Sequence, residues 1–496
     1  MKTKEKLIIV LLSIVIAGIS YWFFWDGYYS IDTYRIISQG YTDYALKDAY
    51  IRDGRLFLAG IVSLVGIINP SYKVWYIINL AITIFISAIT VLQLYMIINH
   101  YKKAKNTKNK CIYFLVSFLF IFNFVQIDTM QFIEAFAIAT SVLLYILSLK
   151  NTVINKNKKM GFIYAILGML WYQGTVTIYI ATAFLMCLLE TKKINKEFFK
   201  KILNPAIIII ISVILSSLIV SIVPYITKLE FTERFPSVEK YISILKRDIM
   251  QMDNLLIDCC GYFPKYIFIS ASLLILIVIF VYGIKHKNVT QPINALIVFY
   301  IYIVSIFIFF PIQLIELCFR CALSLGAAIP ALFIYIICNM EMLEGKKIYL
   351  NILIAMVILY FILSVCNTVK VTREFKFANE LDERFIKRIE TEAKNLQDQG
   401  INVQRYAVYY TTNGDRLNEL YNSEITFYNS YYLLSRDFSN IFGIYGEKNI
   451  KLEKQFADKE IVDKYFENPS EEEIQIKYIN NILYVELNKK LNAQLT

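Results

Sequence analysis

Long apolar runs are the feature that most restricts how this chain can fold. Runs approaching 20 apolar residues recur from the N-terminus to residue 366, and an α-helix needs roughly 20 such residues to cross a bilayer. Of all residues, 57% are hydrophobic and only 18% are charged, against about 25% charged in soluble domains. The sequence therefore predicts an all-α polytopic membrane protein.

Eleven apolar runs are candidates for transmembrane helices, the first of them preceded by a short basic N-terminus. They lie near residues 7–24, 74–98, 111–125, 132–149, 160–173, 175–190, 203–224, 265–284, 295–311, 322–340 and 348–366. Residues 7–24 carry no small-residue cleavage site, so we expect a retained first helix and not a signal peptide.

Lysine clusters occupy alternate connections between these runs. They occur at residues 102–110, 150–159, 192–201, 285–287 and 346–347. Because cytoplasmic loops are enriched in Lys and Arg, we expect all five clusters in the cytoplasm. One topology satisfies them: N-terminus inside, about eleven spans, and C-terminus outside. Short basic clusters beside apolar runs also argue against nucleic-acid binding, which favours a basic face on a soluble domain.

One apolar run does not fit as a span. Residues 54–69 number about 16, and a crossing there would turn every later lysine cluster outward. We therefore predict a juxtamembrane helix at 54–69, inside a first outer loop at 25–73. A second long outer loop is predicted at 225–264.

The composition changes near Val369. Residues 370–496 carry 18 Lys and Arg against 21 Asp and Glu, whereas the whole chain carries 51 against 40. We predict a transmembrane domain at 1–369 and a small extracytoplasmic α/β domain at 370–496. The pattern of the second domain favours an amphipathic helix at 374–397 and a strand at 406–410. Two further strands are predicted in 474–487, around a turn at Asn480 and Asn481.

Ionisable residues of the apolar part gather in the predicted outer connections, where they are candidates for function. Arginine can hold a phosphate through two hydrogen bonds, and a carboxylate can accept a proton from a hydroxyl group. Together they suit a site for a lipid-linked phosphosugar at the outer membrane boundary. The competing interpretation is that these charges are simply solvated. The candidates are Asp32, Arg35, Asp53, Arg55, Asp128, Glu134 and Arg320.

The first outer loop resembles that of bacterial type II Gtr-class glucosyltransferases, which modify O-antigen and other surface polysaccharides. The resemblance is carried by residues 29–58, YSIDTYRIISQGYTDYALKDAYIRDGRLFL, at Asp32, Tyr34, Arg35, Gly40, Tyr41, Gly54 and Arg55. Tyr172 and Gln173 are similar to the Tyr-Gln turn that the family has between two helices. Many members have two consecutive Asp residues where this chain has Asp32 and Thr33.

The resemblance implies a GT-C fold, in which an integral membrane enzyme takes a sugar from a polyprenyl phosphate on the extracytoplasmic side, usually with inversion. It implies Asp32 as the general base. It also implies that arginines hold the donor phosphate, namely Arg35, Arg55 and Arg320, and that Tyr172 and Gln173 line the sugar or acceptor site. Asp53, Asp128 and Glu134 are further candidates for the site.

We therefore expect a multi-pass hexosyltransferase of the cell membrane. Its donor is a polyprenyl-phosphate-linked sugar, with glucose favoured by the family, made by a separate enzyme. Its acceptor is a surface polysaccharide or a teichoic-acid-like polymer. Membrane lipid is the third partner, and neither a metal nor another cofactor is expected. The alternatives are a transporter or flippase for lipid-linked glycans, a polysaccharide polymerase, and a non-enzymatic membrane sensor.

Overall fold

A computed structural model describes residues 2–227, 263–285, 287–313, 319–339, 347–409, 452–455, 457–465 and 474–487, together with residues 239, 242–243 and 245–246. Most of the predicted outer loop at 225–264 lies outside these residues. The chain divides into two units. The larger unit comprises residues 1–25 and 45–369, and the smaller unit comprises residues 26–44 and 370–496.

The larger unit is helical throughout its described residues, apart from its turns. Its helices are α1 (Thr3–Ser20), α4 (Leu56–Ile68), α5 (Tyr72–Tyr101), α6 (Thr107–Ile121), α7 (Phe124–Met130), α8 (Ala135–Leu149), α9 (Lys158–Trp171), α10 (Val176–Thr191), α11 (Lys196–Thr227), α12 (Lys265–Lys285), α13 (Thr290–Gln313), α14 (Leu323–Asn339) and the first part of α15 (Lys347–Asp398). The two helices numbered between α1 and α4 belong to the smaller unit.

Seven of the described helices are long and apolar enough to cross a membrane, or eight if the bent pair α6–α7 forms one span. Each of the eleven predicted runs overlaps a helix, but the count of eleven spans stays a prediction. Helix α1 carries three charges in its 18 residues, and α9 and α14 have only 14 and 17 residues. At about 1.5 Å per residue, these last two are shorter than a bilayer core of about 30 Å.

Helix α11 shows most directly why the larger unit needs lipid. Only 17% of its most apolar stretch is buried by the protein, and Ile207, Ile210, Ile214 and Leu218 are all more than 40% exposed. The span that includes α10 is 78% buried. A protein in water rarely leaves an apolar stripe of this length uncovered, so the helices support a multi-pass membrane protein.

Helix α4 has 13 residues and reaches about 20 Å, which is too short for a span. A helix is therefore present in the predicted juxtamembrane segment, and its place at the membrane surface stays a prediction. The remainder of the predicted first outer loop contains α2 (Ile31–Gln39), α3 (Tyr41–Asp43) and a π-helical turn at Tyr44–Asp48. The unit boundary at Tyr44 cuts through this segment.

The smaller unit combines α2, α3 and the C-terminal part of α15 with a four-stranded sheet. The strands are β1 (Arg405–Tyr409), β2 (Glu453–Gln455), β3 (Ile474–Ile479) and β4 (Ile482–Leu487), in the order β2-β1-β4-β3, and α16 (Lys459–Tyr465) precedes β3. Strand β1 is parallel to both neighbours. Ala407, Val462 and Tyr484 form the core on the sheet.

The predicted hairpin is confirmed. Strands β3 and β4 are antiparallel, and the two residues between them, Asn480 and Asn481, have φ of 50° and 64°. Two successive positive φ angles define a type I′ turn, which favours Asn because its side chain tolerates this region. The predicted strand at 406–410 is confirmed within one residue as β1.

Helix α15 differs from the prediction. We expected a span that ends near residue 366 and a separate helix from 374, but the structure has one continuous helix of 52 residues. The segment between them, NTVKVTR, contains neither Gly nor Pro, so nothing in it interrupts the helix. The amphipathic pattern holds at Phe385 and Ile389, both of which are buried.

Candidate functional site

A buried carboxylate, that of Glu134, is the centre of an ionic cluster in the larger unit. Glu134 immediately precedes α8 and is 2% exposed. Its Oε1 atom lies 3.3 Å from Nη1 of Arg55 and 3.9 Å from Nε of Arg320. These three residues come from different parts of the chain, and a buried carboxylate requires such positive partners.

Helix α5 fixes the turn that carries Glu134. The Asn79 side-chain amide donates to the carbonyl of Phe132 at 3.0 Å and accepts from the backbone N–H of Phe136 at 3.1 Å. The Tyr76 hydroxyl donates to the carbonyl of Met130 at 2.9 Å. Because three backbone groups of this turn are held from one rigid helix, the position of Glu134 is fixed on both sides.

Arg55 contacts two carboxylates and one aromatic ring. Its Nη2 atom lies 3.4 Å from Oδ2 of Asp53, in addition to its bond to Glu134, and its guanidinium carbon lies 4.4 Å from the centre of the Tyr172 ring. Burial by itself would lower the pKa of Arg55, but Tyr172, Asp53 and Glu134 outweigh burial and raise that pKa above its ordinary value. The guanidinium therefore stays charged.

Arg320 lies in a 3₁₀ turn at Phe319–Cys321, directly before α14. Its guanidinium carbon lies 4.1 Å above the ring of Phe132. A guanidinium on an aromatic face keeps its planar edge available for hydrogen bonds to an anion. Both arginines of the cluster therefore stack on a ring while they face Glu134.

Tyr172 and Gln173 form the connection between α9 and α10. The Gln173 amide donates to the carbonyl of Gly54 at 2.9 Å, which ties this connection to the residue before Arg55. Gly54 has φ of +66°, and a Cβ atom there would lie 2.7 Å from a methyl of Val220. Glycine is therefore required at position 54 both by its backbone conformation and by its neighbour.

Asp128 is buried and bonds to the Gln131 side chain. It lies in α7, is 7% exposed, and accepts a short hydrogen bond from the Gln131 side chain. A buried carboxylate is a functional candidate in a membrane protein.

Asp32 and Arg35 belong to the smaller unit, whereas the other predicted site residues belong to the larger one. Asp32 stands in the first turn of α2 and is partly buried, where the positive end of the helix favours a carboxylate. The guanidinium carbon of Arg35 lies 5.7 Å from the ring centre of Tyr44. Within the larger unit, the structure brings together Asp53, Arg55, Glu134, Tyr172, Gln173 and Arg320.

The cluster lies at one end of the helices, and the predicted cytoplasmic lysines follow the other end. Helices α8, α10 and α14 begin beside Glu134, Gln173 and Arg320. Helices α8 and α10 end next to Lys150 and Lys192. The cluster and these two lysine-rich connections therefore occupy opposite ends of α8 and α10.

Two supporting residues escaped the sequence analysis. Asn79 could have been noticed, because it is a strongly polar residue inside an apolar run. Phe132 gave no signal, since an aromatic residue is ordinary in such a run. A comparison with protein-family models and with curated proteins finds no match for this chain.

Proposed function

We propose that this chain is a membrane glycosyltransferase. It moves a sugar, glucose by the family resemblance, from a polyprenyl phosphate to a surface polysaccharide or teichoic-acid-like acceptor. The observation that carries the proposal is the Arg55–Glu134–Arg320 cluster at the helix ends opposite the lysines. By the positive-inside rule, that end faces outward, where a separate enzyme's lipid-linked sugar would present its headgroup.

The charge of the cluster suits a phosphate. Two arginines around Glu134 leave one surplus positive charge among buried groups, and Asp53, which is 25% exposed, offsets it at Arg55. A donor phosphate that displaced Asp53 from Arg55 would gain two stacked guanidinium groups and would leave the buried Glu134 in place. Arginine is well suited to this exchange because it binds carboxylates and phosphates with the same fork of N–H groups.

The proposed reaction needs a base and a stabilised leaving group. The acceptor hydroxyl oxygen forms a bond to the anomeric carbon while the bond from that carbon to the phosphate oxygen breaks. The electron pair passes to the phosphate, whose charge Arg55 and Arg320 stabilise. By the family resemblance, the hydroxyl proton passes to the carboxylate of Asp32.

The test uses the full chain in detergent with polyprenyl-phosphate glucose and crude surface glycan, with release of polyprenyl phosphate as the readout. We expect acceptor-dependent release by wild type and a loss of roughly 10²-fold or more in Asp32→Asn. Full release by Asp32→Asn at normal expression would remove Asp32 as the base. No release from a panel of lipid-linked sugars, together with movement of the intact donor across vesicles, would instead favour the transporter.

A further inference from the structure

The segment that carries Asp32 is attached to helix α15 within the smaller unit. Lys376 pairs with Asp26, and the rings of Tyr28 and Phe375 meet edge to face with centres 5.3 Å apart. One turn further along the helix, Asn379 binds the backbone of Tyr29. These three contacts all use residues 375–379 of α15, which follow the span predicted at 348–366.

The Asn379 amide binds both backbone groups of one residue. Its Oδ1 atom accepts from the N–H of Tyr29 at 2.8 Å, and its Nδ2 atom donates to the carbonyl of Tyr29 at 3.0 Å. A neutral amide is the one side-chain group of this size that presents a donor and an acceptor side by side. Two parallel bonds fix the direction of the Tyr29 backbone as well as its position.

The constraint extends from Tyr29 to Asp32 through a capped helix start. Ser30 is the N-cap of α2, and Ser30 and Thr33 exchange hydrogen bonds as a capping box. A capping box fixes the entry of the chain into the helix. Asp32 is the second residue of that helix, so few free backbone torsions remain between the Asn379 amide and the Asp32 carboxylate.

We infer that Asn379 is a positioning residue for Asp32. The inference rests on the proposed function, because it assigns the C-terminal part of α15 a task in the same reaction. Asn379 itself touches the backbone of Tyr29 and acts on the reaction only through α2. A general base must lie within hydrogen-bond reach of the hydroxyl that it deprotonates, so misplacement by about 1 Å can lower the rate by around 10²-fold.

The first experiment measures the attachment without any substrate. Hydrogen exchange of peptides that cover residues 29–39 is compared between wild type and Asn379→Ala in the full chain. We expect exchange about tenfold faster in the variant, as for the loss of one or two buried hydrogen bonds. Asn395→Ala is the matched control, since Asn395 is exposed on the same helix. In this variant, residues 29–39 should exchange at the wild-type rate. Unchanged exchange in Asn379→Ala would overturn the inference.

The second experiment separates positioning from simple loss of structure. In Asn379→Ala we expect kcat to fall by about 10- to 100-fold while KM for the lipid-linked donor stays within about twofold. Asn379→Asp serves if the alanine variant does not fold, because a carboxylate still accepts from the Tyr29 N–H but repels its carbonyl. An equal loss of kcat in Asn395→Ala, or a rise in KM with kcat unchanged, would contradict the role.

The two experiments fail in different ways. If wild type transfers no sugar from any donor, the proposed function fails, and hydrogen exchange still decides whether Asn379 holds α2. If wild type transfers sugar and Asn379→Ala loosens residues 29–39 without a change in kcat, the proposed function stands and the positioning role fails. Faster exchange together with a lower kcat supports both.

Discussion

Two clusters in the larger unit each place one glutamate between two basic residues, but they differ in how deeply the side chains are buried. Glu134 lies between Arg55 and Arg320, and Glu190 lies between Lys156 and Lys201. Helix α10 begins beside the first cluster and ends at the second. The Glu134 side chain is 2% exposed and that of Glu190 is 23% exposed, with Lys156 at 60%.

The two clusters hold similar numbers of charges and differ in burial, so burial is the property that marks a candidate site. Exposed lysines keep their water and gain little from a nearby carboxylate. The arginines of the first cluster have exchanged water for stacked rings and a buried carboxylate, which is costly unless every partner is present. We therefore expect the costly cluster around Glu134, and not the exposed cluster around Glu190, to have a function.

The largest expected effect is therefore on stability when one carboxylate is removed. Glu134→Gln leaves two largely buried arginines, 12% and 19% exposed, without their shared partner. We expect a loss of about 3–5 kcal/mol in the free energy of unfolding. Glu190→Gln, the matched change, should cost less than about 1 kcal/mol. Denaturant unfolding in detergent measures both. Equal losses would show that the two clusters do not differ as their burial indicates.

The next effect concerns the kind of cation. Arg320→Lys keeps the charge but loses the planar fork and the stacking on Phe132, so we expect sugar transfer to fall by about tenfold or more. Lys201→Arg at the other cluster should leave transfer unchanged. Transfer is measured by release of polyprenyl phosphate. Full activity of Arg320→Lys would mean that the guanidinium geometry is not used.

A smaller effect is expected at Tyr172. Tyr172→Phe retains a ring beneath Arg55, whereas Tyr172→Leu removes the cation–π contact and should cost roughly 0.5–2 kcal/mol of stability. Comparing the stabilities of the two variants separates the contribution of the ring from that of the hydroxyl group. An equal loss of stability in Tyr172→Phe and Tyr172→Leu would show that the hydroxyl group, and not the ring, stabilises the protein.

The smallest expected effect is the salt dependence of the coupling energy in each cluster. A double-mutant cycle on Lys156 and Glu190 should give a coupling energy of about 0.2–1 kcal/mol at low salt that falls toward zero near 1 M salt. The coupling between Arg55 and Glu134 should change little, because ions do not reach a buried pair. Similar salt dependence at both pairs would mean that water reaches Glu134 freely.

Much of the fold and part of the site follow from the sequence. Apolar length predicted where the helices of the larger unit lie, and Asn480 with Asn481 predicted the hairpin, because both signals are local. The charged connections that we predicted to lie outside supplied Arg55, Glu134 and Arg320 as candidates. That these three meet, while Asp128 bonds to Gln131, depends on tertiary packing that no local pattern encodes.

Two features lay beyond sequence reasoning for a physical reason. The unbroken helix α15 was missed because a change in composition resembles an end, although only a cap or a helix breaker produces one. Asn379 was missed because it stands among many polar residues on an amphipathic helix. Its partner is the backbone of Tyr29, and a bond to backbone leaves no trace in the partner's residue type.

The bonds between Tyr29 and Asn379 also determine when during synthesis the smaller unit can form. The two residues are 350 positions apart, and a ribosome adds roughly 5–20 residues per second. Tyr29 therefore emerges about 20–70 s before its partner exists. The smaller unit contains both an early and a late part of the chain, so it cannot be completed until the last predicted span has been made. A ribosome that stops near residue 370 would release a chain with its helices inserted and α2 still without its anchor.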